Sequence, residues 1–458
     1  MTSPDTLDQK IRSLVVQLIE SAPPGPPLPD AGAVSRRRAR RRRHRSGLAG
    51  ALVLAVTLIA VGLVVPALAR PGRAPAEAVV APKWVLISDV NLTWTEAPGQ
   101  APGVPINLSL TCPSATTCYA AGPGGTQITT DAGKTWRALV SGSSLAVGPV
   151  SCLSARTCAV LGVGRSLQPL FLETTDSGRT WTSVAGPAGL SGDYGWTDQD
   201  IYPDGPIDLS CVTAASCVVT ATNGGADCSS PAVNCAPSLV FVTTNGGRTW
   251  SEGAPPPGYV PVKVRCFSGG KCISTGGARG GAAVYSSDDG VTWSLSSMPP
   301  GLGLVGALSC SEATNCMAAA DPEYAPPSAP SVILVSHNDG RLWSSAPSRG
   351  LDLPVTGLSC PISSQCWASG GAYSLAAMGG KSLEGTPAAP TAAGLVLTTD
   401  GGQTWQTARL PKGVTGVDAV SCPSTTTCFA LGSVPSALPS SAPPGAVLSG
   451  FVLLEYRA

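Results

Sequence analysis

Read for its alternation of apolar and polar positions, the chain divides into two unequal parts. Near the start, "TLDQKIRSLVVQLIE" (6–20) places Leu7, Ile11, Leu14, Val15, Leu18 and Ile19 on one helical face, and "PPGPPLP" (23–29) stops that helix. "GLAGALVLAVTLIAVGLVVPALA" (47–69) follows, an uncharged run long enough to cross a bilayer as a helix. Beyond it no helical period recurs. Short apolar runs bounded by Gly, Pro, Ser and Asp predict many short strands joined by turns.

Those runs repeat. Fourteen of the sixteen cysteines form seven pairs with five residues between partners: Cys112 with Cys118, Cys152 with Cys158, Cys211 with Cys217, Cys266 with Cys272, Cys310 with Cys316, Cys360 with Cys366, and Cys422 with Cys428. An apolar run enters each first Cys and another leaves each second one, as in "LSC…CWASG" and "VSC…CFALG". The pattern predicts a β-hairpin stapled across its turn, since opposed residues of an antiparallel pair lie within disulfide reach. Cys228 and Cys235 are left over and are expected to bridge within an extra loop.

A second motif alternates with the first. "TTDAGKTW" (129–136) recurs as "TTDSGRTW" (174–181), "TTNGGRTW" (243–250), "SSDDGVTW" (286–293), "SHNDGRLW" (336–343) and "TTDGGQTW" (398–405). Each predicts a tight turn between two strands. Asp131, Asp176, Asn245, Asp288, Asn338 and Asp400 can bond backbone N–H groups there. Gly133, Gly178, Gly247, Gly290, Gly340 and Gly402 supply the turn conformation, and Trp136, Trp181, Trp250, Trp293, Trp343 and Trp405 each bury an apolar face. Every unit therefore has four strands, A and B around the cysteines, C and D around the box, which predicts an all-β, seven-bladed propeller. The last hairpin is followed only by "GFVLLEYRA", so its blade lacks an outer strand. "ISDVNLTW" (87–94) reads as a degenerate box, with Asp89, Asn91, Thr93 and Trp94 in the box positions. Residues 91–96 are expected to close the ring beside 449–456.

Charge adds a topology. Residues 1–46 carry ten Lys/Arg against four Asp/Glu, while residues from 70 onward carry 19 against 24. Eight arginines in "RRRARRRRHR" (36–45) abut the apolar run and predict an N-terminus in the cytoplasm with the bulk outside. Ala67-Leu68-Ala69 also fits a signal-peptidase site, so cleavage is the alternative to a retained anchor. The expected organisation is a cytoplasmic basic segment (1–46), a transmembrane helix (47–69), a linker (70–82) and an extracytoplasmic propeller (83–458). An exported location suits disulfides. The mildly acidic body has no basic stripe for nucleic acid. The helix over 6–20 offers a face for a cytosolic partner or the membrane surface.

The boxes resemble Asp-boxes, the BNR repeats of sialidases, sortilin-type receptors and photosystem II assembly factors. The resemblance covers about 83–456. It implies that the boxes are structural and lie away from the active-site face. It also raises glycosidase activity. Yet the Phe/Tyr-Arg-Ile-Pro motif typical of Asp-box sialidases is missing, and Arg165, Arg265 and Arg279 are too scattered to nominate an arginine triad. Paired carboxylates for sugar chemistry stay open. Serine-hydrolase and zinc chemistry lack the histidines they need, since His337 sits inside a box. The leading expectation is an envelope scaffold that binds a protein or a glycan. The alternatives are a sialidase-like glycosidase and a sensor signalling through the cytoplasmic segment.

Gap lengths point to a binding face. From each box Trp to the next Cys run 15, 29, 15, 16, 16 and 16 residues; from each second Cys to the next box run 10, 15, 25, 13, 19 and 31. B–C and D–A connections leave a propeller on one face, A–B and C–D turns on the other, so the variation lies opposite the boxes. The one expanded D–A loop, "GPAGLSGDYGWTDQDIYPDGPID" (186–208), supplies the candidate ligand residues. Tyr194, Trp196 and Tyr202 could stack on a sugar or peptide; Asp198, Asp200 and Asp204 could hold Ca²⁺. No other cofactor or metal is indicated.

Overall fold

The computed structural model describes residues 83–90, 108–122, 125–139, 146–163, 168–190, 205–222, 238–277, 282–326, 329–370, 394–435 and 449–457. They belong to one unit, Val79–Ala458. The expected helix at 6–20, apolar span at 47–69 and linker at 70–82 lie outside the described residues, as does the pair Cys228 and Cys235. Among the described residues no helix is long and apolar enough to cross a membrane.

The described residues form seven antiparallel four-stranded sheets, each a blade. In six of them the strands follow chain order, A-B-C-D. The inner A strands are Ser109–Thr111, Ala146–Cys152, Gly205–Cys211, Val260–Phe267, Leu302–Glu312, Gly357–Ile362 and Gly416–Ser421, for blades 1 to 7. B strands such as Cys158–Val163 and Asn315–Pro322 read as near-continuous apolar runs because they are covered on both faces. Seven buried clusters, one at each junction between blades, make up the core. At the junction of blades 2 and 3, for example, Leu161 and Phe171 pack against Leu209, Val219 and Phe241.

All seven stapled hairpins form, with Cα–Cα separations of 4.0–4.1 Å: Cys112–Cys118, Cys152–Cys158, Cys211–Cys217, Cys266–Cys272, Cys310–Cys316, Cys360–Cys366 and Cys422–Cys428. In blades 2, 3, 4 and 5 the partners stand directly opposed in the ladder, Cys152 by Cys158, Cys211 by Cys217, Cys266 by Cys272 and Cys310 by Cys316. The second cysteine of each pair begins or nearly begins the B strand, so its sulfur enters the core: Cys118, Cys158, Cys217, Cys272, Cys316, Cys366 and Cys428 are all buried. In blades 1, 2, 3 and 7 a Ser or Thr inside the turn caps it. Ser154 Oγ accepts the Arg156 and Thr157 N–H groups, and Thr213 Oγ1 those of Ala215 and Ser216.

The boxes build one turn six times. In blade 1, Thr135 N–H donates to Asp131 Oδ1 (2.9 Å), Thr135 Oγ1 to Asp131 Oδ2 (2.6 Å), and Gly133 N–H to Thr129 Oγ1 (2.9 Å). Asn245 and Asn338 accept the equivalent N–H of Thr249 and Leu342 at 2.9 Å. The next residue ties the box to the cysteine turn of the same blade: Ala132 N–H reaches Thr116 O (2.9 Å), and Gly246 N–H reaches Ala215 O (2.9 Å). Box and staple thus share one end of the sheet, as the topology predicts.

The box glycine also locks adjacent blades. Gly178 has φ +72°, and a Cβ there would lie 2.4 Å from Ile128 Cδ1 of the preceding blade. The indole beside it packs the same way. Trp181 meets Tyr119 edge-on at 6.3 Å, and Trp250 meets Phe171 at 5.3 Å. Indole N–H groups close back onto the box in blades 2, 4 and 5, to Gly178 O, Gly290 O and Gly340 O.

Ring closure joins the chain ends, with one correction. The outer strand of blade 7 is Lys83–Val90, paired antiparallel with Ser449–Arg457 from Lys83↔Arg457 to Val90↔Phe451. It is not 91–96, and "ISDVNLTW" is not a box: Ile87 to Val90 are strand residues. The physical reason is Trp84. It is 4% exposed and packs edge-on against Trp367 of blade 6 at 5.1 Å, with Tyr456 at 5.6 Å. Trp367 directly follows Cys366 as Tyr119 follows Cys118, so Trp84 fills the place that Trp181 fills beside Tyr119.

Candidate functional site

The loop residues nominated from sequence, Tyr194, Trp196, Asp198, Asp200, Tyr202 and Asp204, lie outside the described residues, as do Arg165 and Arg279. What the structure describes is where that loop lands. Its C-terminal end enters Gly205–Cys211, the inner strand of blade 3. The B–C connections, including 223–237 and 371–393, join strand ends opposite the cysteine and box turns.

The inner strands have a simple code. Two residues before each first cysteine stands an apolar residue facing a blade junction, among them Leu209, Val264 and Leu308, all buried. Residues on either side of it point the other way. Immediately before the cysteine come Ser151, Ser210, Ser309, Ser359 and Ser421, with Thr111 in blade 1 and Arg265 in blade 4. Each of the five serine oxygens accepts the first-cysteine N–H of the following blade at 2.8–2.9 Å: Cys211, Cys266, Cys360, Cys422 and, across the closure, Cys112. Sequence reasoning missed this ring. Its signal was the Ser-Cys dipeptide in five of seven repeats.

Two positions upstream of the serine ring stand Ser109, Pro149, Asp208, Lys263, Ala307, Gly357 and Ala419. Of the fourteen residues at these two levels, only Asp208, Lys263 and Arg265 are charged, and they sit on neighbouring blades 3 and 4. Asp208 Oδ2 accepts Val264 N–H (2.9 Å) and an Arg265 Nη1 proton (3.1 Å); Nη1 also donates to Val264 O (2.7 Å). The Asp208 side chain is 9% exposed, that of Arg265 40%. Lys263 is half-buried and makes no ion pair among the described residues.

Three further carboxylates, Asp321, Asp418 and Glu173, are shifted by burial. Burial pushes the pKa of Asp321 up. Burial also raises Asp418, partly opposed by the hydrogen bond from Ser433 Oγ at 2.6 Å. Burial raises Glu173 against the lowering effect of nearby Arg248. Asp321 and Asp418 stand in blades 5 and 7, Glu173 at the box end of blade 2. Glu173 borders a cavity of about 20 Å³ with Leu153, Thr157 and Ala214, room for roughly one water. Among the described residues no group of three or more His, Cys, Asp or Glu is placed to hold a metal.

No protein-family model matches the chain. No curated protein matches it. Among solved structures, YCF48 bound to D1 peptide aligns at 16% identity with a TM-score of 0.50, covering 84% of this chain and 99% of that one. YCF48 from Cyanidioschyzon merolae aligns at 13% identity with a TM-score of 0.50, covering 82% and 99%. A GH74 enzyme from Niastella koreensis aligns at 13% identity with a TM-score of 0.27, covering 69% and 50%. The YCF48 likeness shows the fold, a β-propeller, and the GH74 match carries no argument.

Proposed function

We propose that this protein is a binding scaffold. Its boxes are Asp-boxes that act structurally, and the face opposite them, with the inner wall beneath, receives a segment of a protein partner. One observation carries this reading: the two ends of the blades are built to different rules. At the box end, turn lengths repeat and backbone hydrogen bonds join box to staple in blade after blade. At the other end, the B–C connections range from two residues, 123–124, to 23 residues, 371–393, on the same rigid frame. Long connections on a rigid scaffold are where binding residues concentrate. A propeller of this fold, YCF48, has been solved with a D1 peptide, which makes a peptide-like partner the first class to test. The ligand role of Trp196 and its neighbours belongs to this proposal. So does a location outside the cytoplasmic membrane, held by residues 47–69 with residues 1–46 inside.

The test is site-specific photo-crosslinking of the full chain in its native envelope. A photoreactive residue replaces Tyr324, at the loop end of blade 5, or Lys134, in the blade 1 box; both positions are exposed. A discrete protein adduct from position 324 and none from 134 supports the reading. Adducts from 134 alone would overturn it.

A further inference from the structure

We propose that Lys263 and Arg265, on the inner strand of blade 4, seat the carboxylate of an acidic side chain of the partner segment. This deepens the scaffold reading and rests on it. The first observation is internal. Seven copies of one inner strand sit in one ring, and the other six put small or uncharged residues at these two levels except for Asp208. Blade 4 alone places two cations there, in "VKVRC" (262–266).

The second observation is which donors at these levels are left free. Each ring serine spends its oxygen as acceptor on a cysteine N–H, and none donates to another group among the described residues. The serines face the junction with the next blade, so the uncommitted donors left at these levels are the Lys263 ammonium and the free part of the Arg265 fork. Two neighbouring cationic donors complement an acceptor-rich group, and a carboxylate accepts at both oxygens.

The third observation sets the charge of the ligand. Asp208 fixes the guanidinium through Nη1 at 3.1 Å and neutralises one of the two cations. One net positive charge is left, which matches a carboxylate monoanion. A phosphate dianion would leave an uncompensated negative charge in a half-buried site.

The probe is fluorescein-labelled pentaglutamate, compared with pentaglutamine, on the full chain in detergent. Pentaglutamate should bind at least about tenfold tighter, weakening with salt. Lys263→Ser leaves the Arg265–Asp208 pair intact and places at that level the residue blade 1 has at Ser109. It should lose roughly tenfold in pentaglutamate affinity while melting like the parent. Lys263→Ser with Arg265→Ser and Asp208→Ser should abolish the difference between the two peptides. Unchanged pentaglutamate binding by both variants would overturn the proposal, as would competition by inorganic phosphate stronger than by acetate at equal ionic strength. Adducts from position 324 that persist in these variants would keep the scaffold reading while removing this seat.

Discussion

Blade 7 and the other six blades solve the same packing problem with different chemistry. In the six, the outer strand is short: Arg137–Ala138, Thr182–Ala185, Ser251–Glu252, Ser294–Leu295, Ser344–Ser345 and Gln406–Thr407. A box leads into each, and its Gly and Trp wedge against the preceding blade. In blade 7 the outer strand is the eight-residue Lys83–Val90, no box precedes it, and Trp84 arrives from the opposite end of the chain. The box is therefore one route to an inter-blade wedge. What the fold requires is an aromatic face at that place. The closing strand also serves its other neighbour. Ser88 Oγ donates to Gly133 O (2.6 Å) and accepts the Trp136 indole N–H (3.0 Å), so the first box leans on the last blade.

The largest effect is expected from removing the closing strand. A chain beginning at Asn91 loses Trp84 and every ladder bond to Ser449–Arg457, and it should lose cooperative unfolding in a urea titration. Trp84→Ala alone should cost about 3–5 kcal/mol. If it cost under about 1 kcal/mol, the equivalence of Trp84 with the box tryptophans would be wrong. Next comes the glycine wedge. Gly178→Ala meets Ile128 at 2.4 Å as well as a positive φ, and should cost roughly 2–4 kcal/mol. Gly189→Ala, at φ +85° with nothing within 4 Å, isolates the backbone part at about 1 kcal/mol. Equal costs would remove the packing argument.

Below these lies a staple. Replacing Cys152 and Cys158 by Ala should cost about 2 kcal/mol from the loop entropy of so short a ring, read as a shift in the urea midpoint. The serine ring contributes less per bond: Ser309→Ala should cost about 1 kcal/mol by freeing the Cys360 N–H, with no loss of the disulfide on non-reducing peptide mapping.

The smallest effect is acid sensitivity. Hydrogen bonds from the Thr135 side chain and backbone, then from Thr129, hold Asp131 down at about 2, and the same set from Thr404 and Thr398 holds Asp400 at about 2. Their folded values lie below the unfolded one, so their contribution is present above about pH 4 and is lost as pH falls toward 2. In the boxes of blades 3 and 5 the equivalent side chains are Asn245 and Asn338, amides that do not titrate. Amide exchange at Thr135 and Thr404 should accelerate across that window while exchange at Thr249 and Leu342 does not. Parallel acceleration at all four would show that the carboxylate is not the cause.

Much of this architecture was legible beforehand because repeats average out local ambiguity. Seven cysteine pairs at one spacing, from Cys112 and Cys118 to Cys422 and Cys428, marked the hairpins, and six boxes marked the blades. The candidate site was less legible. Arg265 looked like one scattered arginine, since nothing in a linear reading joins it to Asp208, 57 residues earlier. The closure was half legible: seven cysteine hairpins against six full boxes left one outer strand to be found, and its register was not evident. Trp94 sits in a box-like string and Trp84 does not, yet Trp84 is the residue that Trp367 and Tyr456 enclose.

By itself the sequence determined the blade count, the staples and the local turn chemistry, because each depends on residues within a few positions of one another. An Asp bonding the N–H four residues on, or a cysteine opposite its partner six residues on, needs no other part of the chain. Only the tertiary structure decided which residues meet across blades: Gly178 under Ile128, Ser421 under Cys112, Arg265 beside Asp208, Trp84 against Trp367. Those contacts depend on the ring bringing neighbouring sheets face to face, and the burial gained there, summed over seven junctions, selects the register that no local preference specifies.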